Sequence, residues 1–349
     1  MATTETNDTN STDPQNAVPT TMKAATRHRY GPPETITLEQ IEVPTVDADE
    51  VLVEVHAAGV DRGVWHIVTG LPYVARPAFG ILRPKQPVPG FDLAGRVVAV
   101  GDDVTRFAIG DEVFGIGDGS FAEYATAKEA KLARKPDDLP FAQAAVTPIS
   151  GNTALEGLTD VGRVEAGQRV LITGASGGVG SFAVQLATAL GAEVTGVASA
   201  AKADFVRSLG AVDVVDYATE DYLDGTRRYD LILDINGRNS LRRLRRALEP
   251  KGTAVLVGGE GGNRVTGGFG RSLRAPLASL FVGQRLTMFV SKEHHDLIDR
   301  LAEFIENGSV RPAVGTRYPL ERAAEAVADL EAGKATGKSV IIVRDETGV

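Results

Sequence analysis

The sequence predicts an α/β protein with a strand-rich, barrel-like first part and a second part built on a doubly wound parallel sheet. Polar and apolar residues alternate through 35–41 and 50–56, as in strands with one buried face. From about Phe141 onwards, short continuous apolar runs alternate with helical patterns, as in a parallel sheet covered by helices on both faces. We therefore expect two domains of different architecture.

The strand-rich part follows a polar segment at residues 1–21, which has no pattern that could bury a core and is predicted to be a disordered tail. Between Asp61 and Gly90 the alternation breaks, and this stretch contains five prolines. We predict that it is an irregular lid or binding loop. Further strands of this part are predicted at residues 93–100, Glu112–Ile116, 121–126 and 131–134.

The later part contains the elements of a parallel sheet. Its strands are predicted at Arg169–Thr173, Glu193–Ala198, 212–216, 229–235 and 253–258. Helices between them are predicted at 179–190, 201–209 and 240–248. The basic run 242–246 lies on the last of these helices, and we interpret its arginines as the solvated face opposite a leucine stripe.

The segment 269–285 is apolar with scattered arginines, and the sequence leaves its role open. It fits a helix at a domain interface, at a subunit interface or over the active cleft. Two amphipathic helices are predicted after it, at 293–306 and 320–332, followed by a strand at 339–343.

The 349-residue chain has a formal net charge of −9 and no cysteine. The negative charge argues against a nucleic-acid or anionic membrane surface. No apolar run approaches the ~20 residues that cross a bilayer, so no membrane span is predicted. Without cysteine, disulfides, a thiolate nucleophile and cysteine-ligated zinc are excluded. No secretory signal is visible, and we expect a cytoplasmic protein with a small-molecule substrate.

A glycine-rich turn carries the strongest functional signal. It spans residues 174–180, between the strand Arg169–Thr173 and a helical pattern. Glycine allows the sharp reversal and the close approach of a ligand to the backbone, and the first N–H groups of the helix attract an anion. This arrangement predicts a dinucleotide pyrophosphate. The contacting residues are predicted to be Ser176, Gly177, Gly178 and Val179.

The end of the second parallel strand predicts which dinucleotide binds. An NAD site usually has Asp or Glu there, but this chain has Ser199 and Lys202 after the strand Glu193–Ala198. A hydroxyl and an ammonium suit the 2′-phosphate of NADP. We therefore predict NADPH as the cofactor, with NADH possible but weaker. The alternative for Lys202 is a solvated lysine at a helix start.

Five segments, one of them in the glycine turn, form a recognisable set: 89–97 (PGFDLAGRV), 107–115 (FAIGDEVFG), 119–124 (GSFAEY), 175–180 (ASGGVG) and 337–340 (GKSV). Together they resemble the medium-chain dehydrogenase/reductase superfamily, and most of all its zinc-independent branch that includes the quinone oxidoreductases. The resemblance implies a GroES-like β-barrel catalytic domain with a Rossmann domain inserted into it. It places the catalytic domain at 22–145 with 290–349, and the cofactor-binding domain at 146–289.

The resemblance also implies functions for individual residues. It places Thr153 near the cofactor phosphates, and Ser199, Lys202 and Tyr217 around the adenosine phosphate. The alternative for Tyr217 is an aromatic residue that packs at a strand end. The resemblance places three residues that follow two strands beside the nicotinamide: Asn236, Gly258 and Gly259. It assigns Lys338, in the final strand, to the cofactor site.

No metal is predicted. Where zinc-dependent members have Gly-His-Glu, this chain has Gly90, Phe91 and Asp92, and it lacks the cysteine ligands. The pair His294 and His295 is interpreted as a surface feature at a helix start. Without a metal, hydrogen-bond donors must stabilise the developing oxyanion.

The candidate catalytic residues lie in or next to the predicted loop. Asp61 stands where quinone reductases typically have Asn, and an ionised Asp cannot donate the hydrogen bond that Asn can. His66, Tyr73 and Lys85 are candidate donors, each of which could instead cap the loop, pack or lie exposed.

The function predicted from these residues is NADPH-dependent, zinc-independent transfer of hydride to a quinone or an α,β-unsaturated carbonyl compound. One alternative is an NADP-dependent enzyme resembling alcohol dehydrogenases, which the lack of zinc ligands disfavours. Another is an NADPH-binding sensor or structural protein with little turnover. The resemblance also implies a possible homodimer.

Overall fold

The computed structural model describes residues 18–259 and 262–344. Of the tail predicted at 1–21, residues 1–17 lie outside the described residues, and Thr21 begins the first strand. The strands, in chain order, are β1 (Thr21–Thr26), β2 (Thr37–Glu42), β3 (Glu50–Gly59), β4 (Asp92–Val100), β5 (Glu112–Ile116), β6 (Tyr124–Lys128), β7 (Leu132–Arg134), β8 (Arg169–Thr173), β9 (Glu193–Ala198), β10 (Asp213–Asp216), β11 (Tyr229–Asp234), β12 (Leu248–Leu256), β13 (Arg285–Met288), β14 (Val314–Pro319) and β15 (Lys338–Ile342).

The described residues also form α-helices. In chain order they are α1 (Arg62–Thr69), α2 (Arg76–Phe79), α3 (Phe141–Ala145), α4 (Pro148–Glu156), α5 (Gly178–Ala189), α6 (Ala203–Ser208), α7 (Leu241–Arg246), α8 (Phe269–Ser279), α9 (His295–Glu306) and α10 (Ala323–Glu331). None of these helices is long and apolar enough to cross a bilayer.

The first domain is built on a sheet in the order β14-β15-β3-β4-β5-β7, with β6 also paired to β3. Strand β3 pairs with β4 along its length, with β6 over Glu50–Glu54, and with β15 over Ala57–Gly59. Because two strands share one edge of β3, the chain can close this sheet around a core. The last strands, β14 and β15, thus lie in the same sheet as β3 to β5.

The second domain contains six parallel strands in the order β10-β9-β8-β11-β12-β13. Both faces of this sheet are buried, since Val170 and Ile172 of β8 pack into one apolar cluster and Leu171 into another. This explains why its strands read as continuous apolar runs. The strand order reverses between β8 and β11, where open α/β sheets bind ligands. The predicted fold class, a GroES-like barrel with a Rossmann domain, is confirmed.

The segment predicted to be irregular contains a helix, so that prediction was wrong at this point. Helix α1 begins after Asp61, whose Oδ1 accepts a hydrogen bond of 3.1 Å from Val64 N, and it ends at Gly70 with φ of 65°. A polar N-cap and a left-handed glycine are the usual limits of a helix. The open segment 269–285 forms α8 and begins β13, the edge strand of the parallel sheet.

The basic run 242–246 lies on α7, as predicted. Leu244 is fully buried, whereas Arg243 and Arg246 are about half exposed and pair with Asp221. These arginines therefore form the solvated face of the helix.

Candidate active site

A cleft of about 540 Å³ lies where the carboxyl edge of the parallel sheet meets the barrel domain. Residues from α1, α4, α5, β15 and the ends of β11, β12 and β13 line it. Most of its lining is apolar, as in typical small-molecule sites. The apolar side chains are Val60, Ile149, Val179, Ile235, Leu256, Val257, Met288, Phe289, Val290 and Leu330.

Three glycines in the turn between β8 and α5 each have a different structural role. Gly174 has φ of 71°, the left-handed conformation that the tight turn requires. A Cβ on Gly180 would lie 2.1 Å from the Gly174 carbonyl oxygen, so only glycine lets the helix approach the strand. A Cβ on Gly177 would meet no protein atom closer than 3.5 Å, so this space is open to a ligand. These are the tasks of a dinucleotide-binding turn.

Helix α5 begins at this turn without a side-chain cap. Its first N–H groups and its dipole therefore remain available to an anion. The barrel domain contributes to the same place, because Gly337 N donates to the Ser176 carbonyl oxygen at 2.9 Å and pairs with Gly177. Gly178 and Val179 line the cleft, while the side chain of Ser176 is nearly buried.

The ends of β9 and β10 bring Ser199, Lys202 and Tyr217 to one edge of the sheet. Tyr217 N donates to the Ala198 carbonyl oxygen at 3.3 Å, and its side chain is exposed. Lys202 Nζ donates to the carbonyl oxygens of Gly333 and Ala335. An ammonium has three N–H donors, so two are used in these bonds. Burial lowers the pKa of Lys202.

The residues predicted beside the nicotinamide lie at the carboxyl edge of the parallel sheet. Gly258 and Gly259 line the cleft. Thr153, predicted near the cofactor phosphates, also lines it, and its Oγ1 donates to the Ile149 carbonyl oxygen at 2.6 Å. Asn236 N donates to Thr173 Oγ1 at 3.1 Å, but Asn236 is not part of the cleft lining.

Helix α8 is held against this edge by a buried ion pair. Arg271 binds Asp234, a fully buried residue at the end of β11, and also donates to the Gly258 carbonyl oxygen at 2.9 Å. Asp234 accepts further hydrogen bonds from Thr173 Oγ1 and Asn239 Nδ2. The helix therefore lies beside the cleft, and its Ser272 is part of the lining.

Three charged side chains meet at the base of the cleft. Lys338 Nζ binds Asp92 Oδ2 and lies 3.9 Å from Asp61 Oδ2. All three side chains are buried. Burial, together with the nearby charge of Asp61, raises the pKa of Asp92 to about 7, although Lys338 opposes this rise.

The four predicted catalytic residues separate into two groups. Asp61 and His66 line the cleft, whereas Tyr73 and Lys85 do not. The guanidinium of Arg76 lies over the ring of Tyr73, and the exposed Lys85 has its Nζ 3.4 Å from two backbone carbonyl oxygens. His66 Nδ1 is 2.7 Å from the Leu71 carbonyl oxygen and therefore carries the proton, so in neutral His66 the other ring nitrogen is an acceptor.

The loop that contains Tyr73 crosses to the Rossmann domain. Tyr73 N donates to the Arg264 carbonyl oxygen and Val74 N to that of Val265, both at 2.9 Å. The backbone of Tyr73 therefore helps to join the two domains.

The cleft lacks the cysteine ligands that many zinc sites use, because the chain has no cysteine. The ammonium of Lys338 lies between the two carboxylates. Within 18–259 and 262–344, the side chains that come together as metal ligands do are those of His294, His295 and Asp296, at the start of α9.

Sequence reasoning missed the contribution of β13 and of the residues after it. Met288, Phe289 and Ser291 line the cleft. Their position follows from the rule that ligands bind at the carboxyl ends of parallel strands. The sequence pattern of 269–285 does not show that a sixth strand follows, so the rule does not predict this part of the lining.

Comparison with known proteins agrees with this architecture. Residues 47–137 match the family described as the alcohol dehydrogenase GroES-like domain, and residues 209–341 match the family described as zinc-binding dehydrogenase. The chain is 32% identical to the quinone oxidoreductase of Homo sapiens, over 92% of this chain and 98% of the relative. It belongs to the medium-chain dehydrogenase/reductase superfamily, in the quinone oxidoreductase-like branch.

Two further members of this superfamily support the assignment. The chain is 34% identical to the chloroplastic NADPH-dependent alkenal/one oxidoreductase of Arabidopsis thaliana, over 93% of this chain and 80% of the relative. The structure of the quinone oxidoreductase from Coxiella burnetii is 28% identical, covers 93% of this chain and 100% of its own, and superposes with a TM-score of 0.83. The protein is thus an oxidoreductase with a nicotinamide cofactor.

Proposed function

We propose that the protein is a zinc-independent reductase that uses NADPH to reduce quinones or α,β-unsaturated carbonyl compounds. The observation that carries the proposal is the composition of the cleft. A dinucleotide-binding turn opens into an apolar space whose base holds carboxylates and an ammonium ion in place of a metal site. The activities named for the human and Arabidopsis relatives agree with this chemistry.

The cofactor would extend along the carboxyl edge of the parallel sheet. Gly177, Gly178 and Val179 would hold the pyrophosphate against the N-terminus of α5. Ser199, Lys202 and Tyr217 would surround the adenosine phosphate, with the third N–H of Lys202 donating to it. Thr153 would lie near the cofactor phosphates, and the nicotinamide would lie near Gly258 and Gly259. When bound, the reduced cofactor supplies a hydride to the electrophilic carbon of the substrate.

The choice of NADPH over NADH rests on the end of β9. No carboxylate follows Ala198 to receive a ribose 2′-hydroxyl, whereas Ser199 and Lys202 offer donors to a phosphate. A single charge-assisted hydrogen bond contributes about 1.5–3 kcal/mol. We therefore expect NADPH to bind about 10- to 100-fold more tightly than NADH.

Titration of the purified protein with each dinucleotide, followed by a panel of acceptors, tests the proposal. We expect tight NADPH binding by fluorescence, and loss of NADPH absorbance with methyl vinyl ketone or a benzoquinone. A simple aldehyde and a saturated ketone serve as controls for alcohol dehydrogenase-like chemistry. Binding without oxidation by any acceptor would favour a sensor, and reduction of the controls alone would contradict enone or quinone specificity.

A further inference from the structure

Two buried carboxylates, Asp61 and Asp92, lie beside the ammonium of Lys338 at the base of the cleft. Asp61 comes from the junction of β3 and α1, Asp92 from β4, and Lys338 from β15. Their side chains are 6%, 0% and 2% exposed, so water screens their charges poorly. With every group ionised, this buried cluster would carry a net charge of −1, which is costly away from water.

The hydrogen bonds of the two carboxyl groups leave one oxygen free among the described residues. Asp92 Oδ1 accepts from Ile149 N at 3.0 Å, and Asp92 Oδ2 accepts from Lys338. Asp61 Oδ1 accepts from Val64 N. Asp61 Oδ2 is buried and has no hydrogen-bond partner. A proton on this oxygen, or on Asp92, would remove the excess charge.

The surrounding elements supply few other charges to this cluster. Helix α4 contributes a backbone N–H, and β15 contributes Lys338. Helix α1 contributes Arg62, whose guanidinium lies over the Trp65 ring, and His66. Asp61 and Lys338 line the cleft, but Asp92 does not. Of the two carboxyl groups, that of Asp61 therefore borders the space for a substrate.

We propose that Asp61 and Asp92 hold one proton between them, and that Asp61 passes it to the substrate during reduction. The second half of this inference rests on the function proposed above. It makes Asp61 a catalytic residue, Asp92 the proton reservoir behind it, and Lys338 the cation that stabilises the carboxylate left after transfer.

The reduced substrate receives its proton from Asp61. Reduction of an enone or quinone at carbon moves an electron pair towards the carbonyl oxygen. The O–H bond of Asp61 then breaks, and its proton forms a new O–H or C–H bond on the reduced substrate. The electron pair of the broken bond stays on the Asp61 carboxylate, and a proton from water restores the pair.

The Asp61→Asn variant tests this role. Asn is a good N-cap, so the bond to Val64 N and helix α1 are retained. We expect NADPH affinity within about threefold of the wild type, and oxidation of NADPH by methyl vinyl ketone slower by about 100-fold, as for loss of a general acid. The wild-type rate should fall as the pair loses its proton near neutral pH, and this decline should be absent from the variant. His66→Gln tests the competing proton donor, because His66 lines the same cleft. Asp102→Asn, which changes an exposed carboxylate just after β4, is the matched control.

Infrared spectroscopy tests the shared proton without turnover. We expect a protonated carboxyl band in the wild type near neutral pH, and its loss in both Asp61→Asn and Asp92→Asn, since either change leaves one carboxylate with Lys338. A band that persists in both variants would overturn proton sharing. Normal rates and pH dependence in Asp61→Asn, or their loss only in His66→Gln, would overturn proton delivery. If the wild type oxidises NADPH with neither methyl vinyl ketone nor a benzoquinone, the proposed function and the proton delivery by Asp61 are both overturned. The infrared band would still decide whether Asp61 and Asp92 share a proton.

Discussion

Lys202, just beyond the end of β9, donates a hydrogen bond of 2.6 Å from its Nζ to the carbonyl oxygen of Ala335, in the loop before β15. The same ammonium binds the Gly333 carbonyl oxygen at 3.1 Å. The residue predicted to recognise the 2′-phosphate therefore also connects the Rossmann domain to the barrel domain. Recognition of the cofactor and contact between the domains can be separated by experiment.

We expect Lys202→Met to weaken NADPH binding by about 10- to 100-fold while NADH binding changes by less than about threefold. The physical reason is that only NADPH offers a phosphate to the third N–H of the ammonium. Fluorescence titration with both dinucleotides measures the effect. Lys251→Met, an exposed lysine on β12, is the control. Equal losses for both dinucleotides would show that Lys202 acts through the domain contact alone.

The glycine turn allows a matched pair of variants. Gly180→Ala places a Cβ 2.1 Å from a backbone oxygen, so we expect unfolding free energy to fall by about 1–3 kcal/mol. Gly177→Ala meets nothing within 3.5 Å, so we expect its stability to stay within about 0.5 kcal/mol of the wild type while NADPH binding is lost. Urea unfolding and NADPH titration measure the two effects. Retained affinity in Gly177→Ala would mean that the pyrophosphate lies elsewhere.

The ion pair between Asp234 and Arg271 should be important for stability. Arg271→Met leaves a fully buried carboxylate without its cation, and we expect a loss of about 3–5 kcal/mol in urea unfolding. NADPH binding should also weaken, because Arg271 holds the Gly258 carbonyl group at the edge of the cleft. Arg274→Met, an exposed arginine on the same helix, is the control. Equal stability of the two variants would contradict the prediction.

The Asp92 carboxyl group should make stability depend on pH. Its pKa is about 7 in the folded protein and 3.8 ordinarily, so the folded state binds the proton more tightly. Its contribution to stability is therefore present at low pH and lost as the pH rises from about 4 to about 7. Asp61→Asn removes a charge that raises this pKa, so we expect a smaller loss between about pH 4 and pH 7. If the free energy of unfolding in urea changes equally with pH in the variant and the wild type, the prediction is contradicted.

Most of the second domain could be predicted from the sequence because its strands are buried on both faces. The observed bounds of β8 and β9 are the predicted ones. Strand β13 was missed because four residues at a sheet edge leave little pattern. Helix α1 was missed because prolines follow it closely, although its caps, Asp61 and Gly70, were present in the sequence.

The site could be predicted only where one local segment supplies it. The glycine turn is such a segment, and its three glycines could be assigned tasks once the distances were known. The cluster of Asp61, Asp92 and Lys338 depends on the pairing of β3 with both β4 and β15. The spacing of residues along the chain does not show that pairing, so the sequence marks Asp61 only as a departure from the family pattern.

The pairing of Gly177 with Gly337 affects the order in which the site can be assembled. All six strands of the parallel sheet precede Gly337 in the chain, so a ribosome makes the complete Rossmann sheet before the residue that docks on its glycine turn. The nascent chain can therefore form its nucleotide-binding fold early, but the base of its cleft is completed only when β15 joins β3.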